Sequence, residues 1–182
     1  MTFIYEPAED SYLLASIIPR YAKNKSVLDM CSGSGILAET AKSAGAKSVT
    51  AVDINQNAIK TLKQKNIKAI KSNLFSKIKK SQKFDLIICN PPYLPEDKRE
   101  SKESQLATTG GKQGDELILK FLKQAKSRLK KEGTILLLVS SLTPEKRIKK
   151  LLENNNMNHK IVAQQKLFFE ELVVWEISSC SS

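Results

Sequence analysis

Residues 84–95, Phe-Asp-Leu-Ile-Ile-Cys-Asn-Pro-Pro-Tyr-Leu-Pro, carry the side chains best suited to chemistry. Asn90 and Tyr93 flank Pro91 and Pro92, directly after the apolar run Leu86 to Cys89. The Asn90 side-chain oxygen and the Pro91 carbonyl can each accept one hydrogen from a planar NH2 group. Tyr93 can stack on that plane or wall it in. Held in plane by two acceptors, such a nitrogen gains electron density and has its lone pair directed along the perpendicular. The proline rings fix φ and confine the preceding residue to extended conformations, so the acceptors sit on a stiff backbone. Asn-Pro-Pro is equally good turn chemistry, and residues upstream decide between the two readings.

The elements that must position this group follow from periodicity. Leu86 to Cys89 reads as a strand buried on both faces that the prolines force out of the sheet, leaving Asn90 at a strand's C-terminal end, where open α/β sheets hold ligands. Ser26 to Met30 reads as a second buried strand, Cys31 to Gly35 as a glycine turn, and Ile36 to Ala44 as a helix. Gly33-x-Gly35-x-x-Ala38 fits the dinucleotide fingerprint. However, Asp29, four residues before Gly33, suits a cationic amino group and repels a pyrophosphate. Ser48 to Val52 forms another strand, ending at Asp53, 20 residues beyond Gly33, where a carboxylate accepts from ribose hydroxyls. Asn55 caps the next helix, and Ile67 to Lys71 is the third strand. After it, Asn73 can hydrogen-bond a base and Leu74 can pack on its face; a capping Ser72 or Asn73 is the bland alternative.

Asp10 or Ser11 reads as the N-cap of a helix carrying Leu13, Leu14, Ile17 and Ile18. Residues 96–114 lack apolar periodicity and exceed most connections in length, the signature of a substrate loop. Asp115 to Leu129 is an amphipathic helix, Thr134 to Val139 a buried strand, and Thr143-Pro144 opens a last helix. Two strands close the chain, Asn158 to Gln164 and Glu171 to Ser178. The alternation predicts an α/β, Rossmann-like sheet of seven mostly parallel strands with the last antiparallel, in a single domain over residues 1–182 whose first 24 residues hold the N-terminal motif and helix.

Composition bounds the rest. No signal peptide and no membrane-spanning run are evident, and the scattered Cys31, Cys89 and Cys180 and the single His159 give no metal spacing. A cytoplasmic protein without a metal is expected. The net charge of +11 suits an indirect nucleic-acid contact through a basic surface, although lysines such as Lys120, Lys123, Lys126 and Lys130 also simply solvate a helix.

Taken together, Tyr5-Glu6-Pro7-Ala8-Glu9-Asp10-Ser11, Val27-Leu28-Asp29 with its glycine turn, Asp53-Ile54-Asn55 and Asn90-Pro91-Pro92-Tyr93 resemble the HemK family of protein N5-glutamine methyltransferases. The compact archaeal and eukaryotic branch is the nearer likeness, because bacterial members carry an additional N-terminal helical domain. The resemblance implies a class I fold and S-adenosyl-L-methionine as cofactor. It also implies methyl transfer to the glutamine amide of the Gly-Gly-Gln motif in a class I release factor. By motif it implies cofactor contacts at Ser11, Asp29, Cys31, Gly33, Asp53, Asn73, Leu74 and Asn90, with Asn90, Pro91, Pro92 and Tyr93 holding the target. Cys31 stands where the family turn usually has glycine, and Asn73 where an acid is common. A small zinc-binding activator is implied beside strand three, at Ile67, Ala69 and Ile70, although Lys68 and Lys71 also serve to protect an edge. An adenine-N6 or other nucleic-acid amino-methyltransferase, a lysine methyltransferase and a non-catalytic ribonucleoprotein-binding module are the alternatives.

Overall fold

The computed structural model describes residues 4–97, 99 and 101–180. Its main sheet has the order β3-β2-β1-β4-β7-β9-β8, from β1 (Ser26–Met30), β2 (Ser48–Asp53), β3 (Lys68–Lys71), β4 (Phe84–Cys89), β7 (Leu129–Ser140), β8 (Met157–Lys166) and β9 (Glu171–Ser179). All neighbours from β3 to β7 are parallel, and β9 is antiparallel to both β7 and β8. The expected seven strands, mostly parallel with an antiparallel last one, are therefore present. Strand order reverses between β1 and β4, so a crevice opens at their C-terminal ends, beside Met30 and Cys89.

Burial on both faces explains the strand sequences. Along β4, Leu86 and Ile88 pack on one side with Leu14, Ile17 and Leu37, while Ile87 and Cys89 pack on the other with Phe75, Ile118 and Phe121. The helices covering these faces are α1 (Glu9–Ile17), α2 (Pro19–Ala22), α3 (Ile36–Ser43), α4 (Gln56–Gln64), α6 (Glu116–Ala125) and α7 (Glu145–Asn154). The Asn55 side chain accepts from Asn57 N at 2.8 Å, the expected cap of α4.

Three local readings need correction. Helix α1 begins after Ala8, which gives no side-chain cap; Asp10 and Ser11 lie inside the helix and are buried. The segment 96–114 is not structureless. It contains α5 (Lys102–Thr108), capped by Ser101, and a short parallel pairing of β5 (Leu94–Pro95) with β6 (Thr109–Gly111). The helix expected to reach Leu129 stops at Ala125 and passes through a 3-10 turn, Lys126–Arg128, because Leu129 already pairs with Phe84 as β7. Strand β3 lies at the open edge as expected, with Ile67 just outside it and buried. Among the described residues no helix is long and apolar enough to cross a membrane.

Candidate active site

A cavity of about 550 Å³ opens in the crevice beside β1 and β4. Its wall includes ten of the eleven residues singled out in the sequence: Ser11, Cys31, Gly33, Asp53, Asn73, Leu74 and the run Asn90 to Tyr93. The eleventh, Asp29, is fully buried beneath the glycine turn and is not part of the wall.

Asn90 follows β4 directly. Its Nδ2 donates to Ser11 Oγ at 3.3 Å, and Ser11 Oγ donates to Asp10 Oδ1 at 3.1 Å. Asp10 Oδ1 also accepts from Ser11 N at 2.5 Å, and Asp10 Oδ2 from the Tyr5 hydroxyl at 3.0 Å. An acceptor at Ser11 selects one of the two amide orientations, the one that sends Nδ2 toward α1 and leaves Oδ1 facing away from it. Asn90 Oδ1 is buried and, among the described residues, has no hydrogen-bond partner. A buried acceptor in that state costs free energy until a donor reaches it, and Asn90 is a residue of the cavity wall.

The glycine turn and the β2 end form the other half of the cavity. Asp53 Oδ2 accepts from Gly33 N at 2.8 Å and Oδ1 from Asn55 N at 2.7 Å, which fixes the carboxylate while leaving lone pairs for further donors. Burial raises the Asp53 pKa, and the N–H groups of Asn55 and Gly33 oppose that shift. Asp29 is pushed from 3.8 to about 7, chiefly by burial, with Ser32 and the Ala38 N–H pulling it back. Cys31 has φ +62° and Leu74 φ +48°, left-handed conformations that side chains avoid, and both line the cavity. Cys31 thus occupies a position whose backbone favours glycine.

Against the Asn-Pro-Pro-Tyr segment lie β6 and the loop that follows it. A Cβ on Gly110 would lie 2.1 Å from Gly114 O and 2.8 Å from Pro92 O, and one on Gly114 2.4 Å from Tyr93 O. Only glycine lets this loop pack against the Pro92 and Tyr93 carbonyls. The loop is tied down by Asp115, whose buried carboxylate meets Arg147 at 3.1 Å, and by Arg147 donating to the Gln113 side chain at 2.9 Å. Thr143 Oγ1 reaches Tyr93 O at 3.5 Å. Burial and the nearby Asp10 and Glu170 carboxylates raise the Tyr93 phenol, which stays neutral. Sequence reasoning placed Tyr5 and Asp10 in a motif and residues 109–114 in a substrate loop without seeing the contacts they make, and it missed Glu170. The cluster of acids at residues 6–10 in a basic chain pointed at Asp10, whereas Glu170 carries no local signal.

Residues 8–169 match the model of the family described as methyltransferase small domain. A Methanocaldococcus jannaschii protein carrying the provisional name protein N5-glutamine methyltransferase is 40% identical over 179 residues, covering 94% of this chain and 89% of its own. The release factor glutamine methyltransferase of Fusobacterium nucleatum is 34% identical over 152 residues, 75% of this chain and 43% of that enzyme. The chain thus spans about half the length of the bacterial relatives it matches. Among solved structures, the E. cuniculi Mtq2–Trm112 complex, responsible for methylating the termination factor eRF1, matches with a TM-score of 0.80 and 24% identity, over 97% of this chain and 98% of that one. A ribosomal protein L11 methylase from Lactobacillus delbrueckii subsp. bulgaricus matches with a TM-score of 0.71 and 23% identity, over 98% and 82% of the two chains. At these identities the two structures speak for the fold.

Proposed function

We propose, for a chain that belongs to the methyltransferase small-domain family, methyl transfer from S-adenosyl-L-methionine to the N5 amide nitrogen of a glutamine in a class I peptide-chain release factor. The observation that carries this reading is the buried, unpartnered Asn90 Oδ1, with the amide oriented by Ser11. The 40% relative and the release factor glutamine methyltransferases are similar to this chain over 94%, 75% and 71% of its length.

The residues present fit the cofactor. Asp53, fixed by two N–H groups, can take the ribose hydroxyls; Asn73 and Leu74 flank the place for adenine; Cys31 and Gly33 offer backbone to the methionine end. Asp29 acts from beneath rather than as a direct contact: its main-chain carbonyl accepts from Ser32 Oγ at 2.8 Å, and its buried carboxyl lies outside the cavity wall. When bound, the cofactor supplies an electrophilic methyl on a sulfonium.

The chain's own residues supply positioning and electrostatics. Asn90 Oδ1 and the Pro91 carbonyl accept the two hydrogens of the target NH2, and Tyr93 and Pro92 wall its plane. Held this way, the nitrogen would take the methyl as its bond to sulfur breaks and would release one proton to solvent. The neutral Tyr93 is no base for that proton. Carboxylates along the cavity wall, Asp10, Asp53, Glu96 and Glu116 against the single Lys120, weigh against a phosphate-bearing nucleic acid at this entrance despite the net charge of +11. They also hold a lysine ammonium protonated and without a lone pair, which weighs against a lysine substrate. Residues 96–114 are part of the proposed substrate wall, within one catalytic domain spanning the chain.

A small zinc-binding subunit at β3 is part of the same proposal. The open edge, with Ala69 and Ile70 half-buried and Ile67 buried, suits strand addition, and the E. cuniculi neighbour is a two-protein complex.

The test is transfer of labelled methyl to purified release factor, to the same factor with its target Gln changed to Asn, and to a DNA duplex, with and without the small subunit. Label on the wild-type factor alone is expected, and Asn90→Ala should lower it about a hundredfold or more. Label on DNA and none on the factor would overturn the reading.

A further inference from the structure

Among the described residues the two most exposed large apolar side chains are adjacent. Phe168 and Phe169 are 92% and 86% exposed, with ring centres 4.7 Å apart and planes edge-on. They sit in the turn from β8 to β9, closed by Leu167 N donating to Glu170 O at 2.8 Å. Two phenylalanines in water at a hairpin tip bury nothing, and such a patch marks an interaction site.

Long-range pairing places the turn at the same end of the sheet as the cavity. β9 runs antiparallel to β7 with Leu172 opposite Ser140, so the hairpin tip lies at the C-terminal end of the parallel strands, where the cavity opens. Ser141 N donates to Glu171 O at 2.8 Å, Glu171 N donates to Ser141 Oγ at 2.9 Å, and Ser140 Oγ donates to Glu170. Leu167 belongs to the same apolar cluster as Tyr93 and Leu13. Glu170 lies close enough to act on the Tyr93 phenol, as do Glu9 and Asp10 from α1.

Charge is distributed unevenly over the molecule. Residues 54–84, which carry α4 and β3, hold nine lysines and no Asp or Glu. The cavity side has the opposite sign: Glu96 lines the cavity, Glu9 and Glu170 lie close enough to act on Tyr93 in its wall, and among the described residues none of the three is ion-paired. Lys120 is the cation of the cavity wall among the described residues, and Lys166 ends β8.

We propose that the Phe168–Phe169 turn and the carboxylates around the entrance form the docking surface for the protein that presents the target amide, gripping a cationic segment with an apolar anchor. This rests on the function proposed above. Exposed aromatics next to a catalytic cavity give a partner a central apolar contact, and unpaired carboxylates around them select a basic partner and speed its approach.

The experiment compares wild-type enzyme with Phe168→Ser/Phe169→Ser and with Glu9→Lys, using purified class I release factor. It measures binding by calorimetry, steady-state methyl transfer, cofactor affinity and oligomeric state. The double variant is expected to raise Kd and KM for the factor about tenfold or more, with kcat, cofactor affinity and melting temperature held. Glu9→Lys should raise KM severalfold at low salt, and the effect should shrink as salt is added. Unchanged Kd and KM in the double variant overturn the docking surface. A wild-type dimer that the double variant converts to monomer also overturns it, by assigning the patch to a second copy. Wild-type enzyme that binds the factor through the two phenylalanines but does not label it supports the surface and sinks the glutamine reading alone. Wild-type enzyme that neither binds nor labels the factor sinks both.

Discussion

Replacing Ser11 with alanine isolates the step that orients the catalytic amide. Asn90 Nδ2 has Ser11 Oγ as its partner at 3.3 Å, and that oxygen is itself held by Asp10 at 3.1 Å. In Ser11→Ala the part-buried NH2 loses its acceptor, at a cost of about 1–3 kcal/mol. Turning the amide over relieves the cost but points NH2 at the target NH2, donor against donor. The productive orientation then loses the same energy, which lowers kcat about fivefold to a hundredfold. Single-turnover methyl transfer at saturating cofactor reads that rate directly, free of product release. The variant should stay folded, because the main-chain bonds of α1 do not depend on the hydroxyl. Ser11→Thr keeps an acceptor and should restore most of the rate. An unchanged single-turnover rate in Ser11→Ala would refute the orienting role. A raised KM for cofactor with kcat intact would make Ser11 a cofactor contact, the role its motif resemblance implies.

Two further outcomes follow from the buried groups. Asp29 binds its proton more tightly in the folded chain, since its carboxyl is pushed from 3.8 to about 7. Its contribution to stability is fully present below about pH 4 and is lost as pH rises to about 7. The melting temperature of Asp29→Asn minus that of wild type should therefore climb between those limits and then level off; a flat difference in calorimetric scans would refute a carboxyl held protonated by burial. At Cys31, with φ +62°, glycine removes a left-handed penalty of about 1–2 kcal/mol while making the unfolded chain more flexible by about half that. Cys31→Gly is expected to raise the melting temperature by a few degrees with cofactor affinity retained, and a lowered melting temperature would show that the thiol's packing outweighs the strain.

Local constraints made much of this protein readable before its coordinates. Pro91 and Pro92 must end a strand, and four consecutive apolar residues before Asn90 must be buried on both faces, whatever surrounds them. A carboxylate 20 residues beyond Gly33 falls at the next strand's end because one helix and one strand consume that length. Such signals depend only on backbone geometry and side-chain period. Where a local signal had a competing tertiary role, it misled. Asp10 and Ser11 have the composition of a cap, yet the helix begins before them because their polar atoms serve Tyr5 and Asn90, the latter 79 residues away in sequence. The segment 96–114 looked featureless because β6 pairs with only two residues of β5, and its glycines pack on the Pro92 and Tyr93 carbonyls rather than in an apolar core.

From the sequence alone came the strands, the glycine turn and the chemical types at the cavity wall. Only the tertiary structure decided which of these groups meet. Sheet order carries β4 between β1 and β7, brings α1 over Asn90, and swings Glu170 from the last hairpin to the entrance. Propensity and periodicity describe neighbours along the chain, whereas the orientation of one amide depends on an acceptor supplied across the fold.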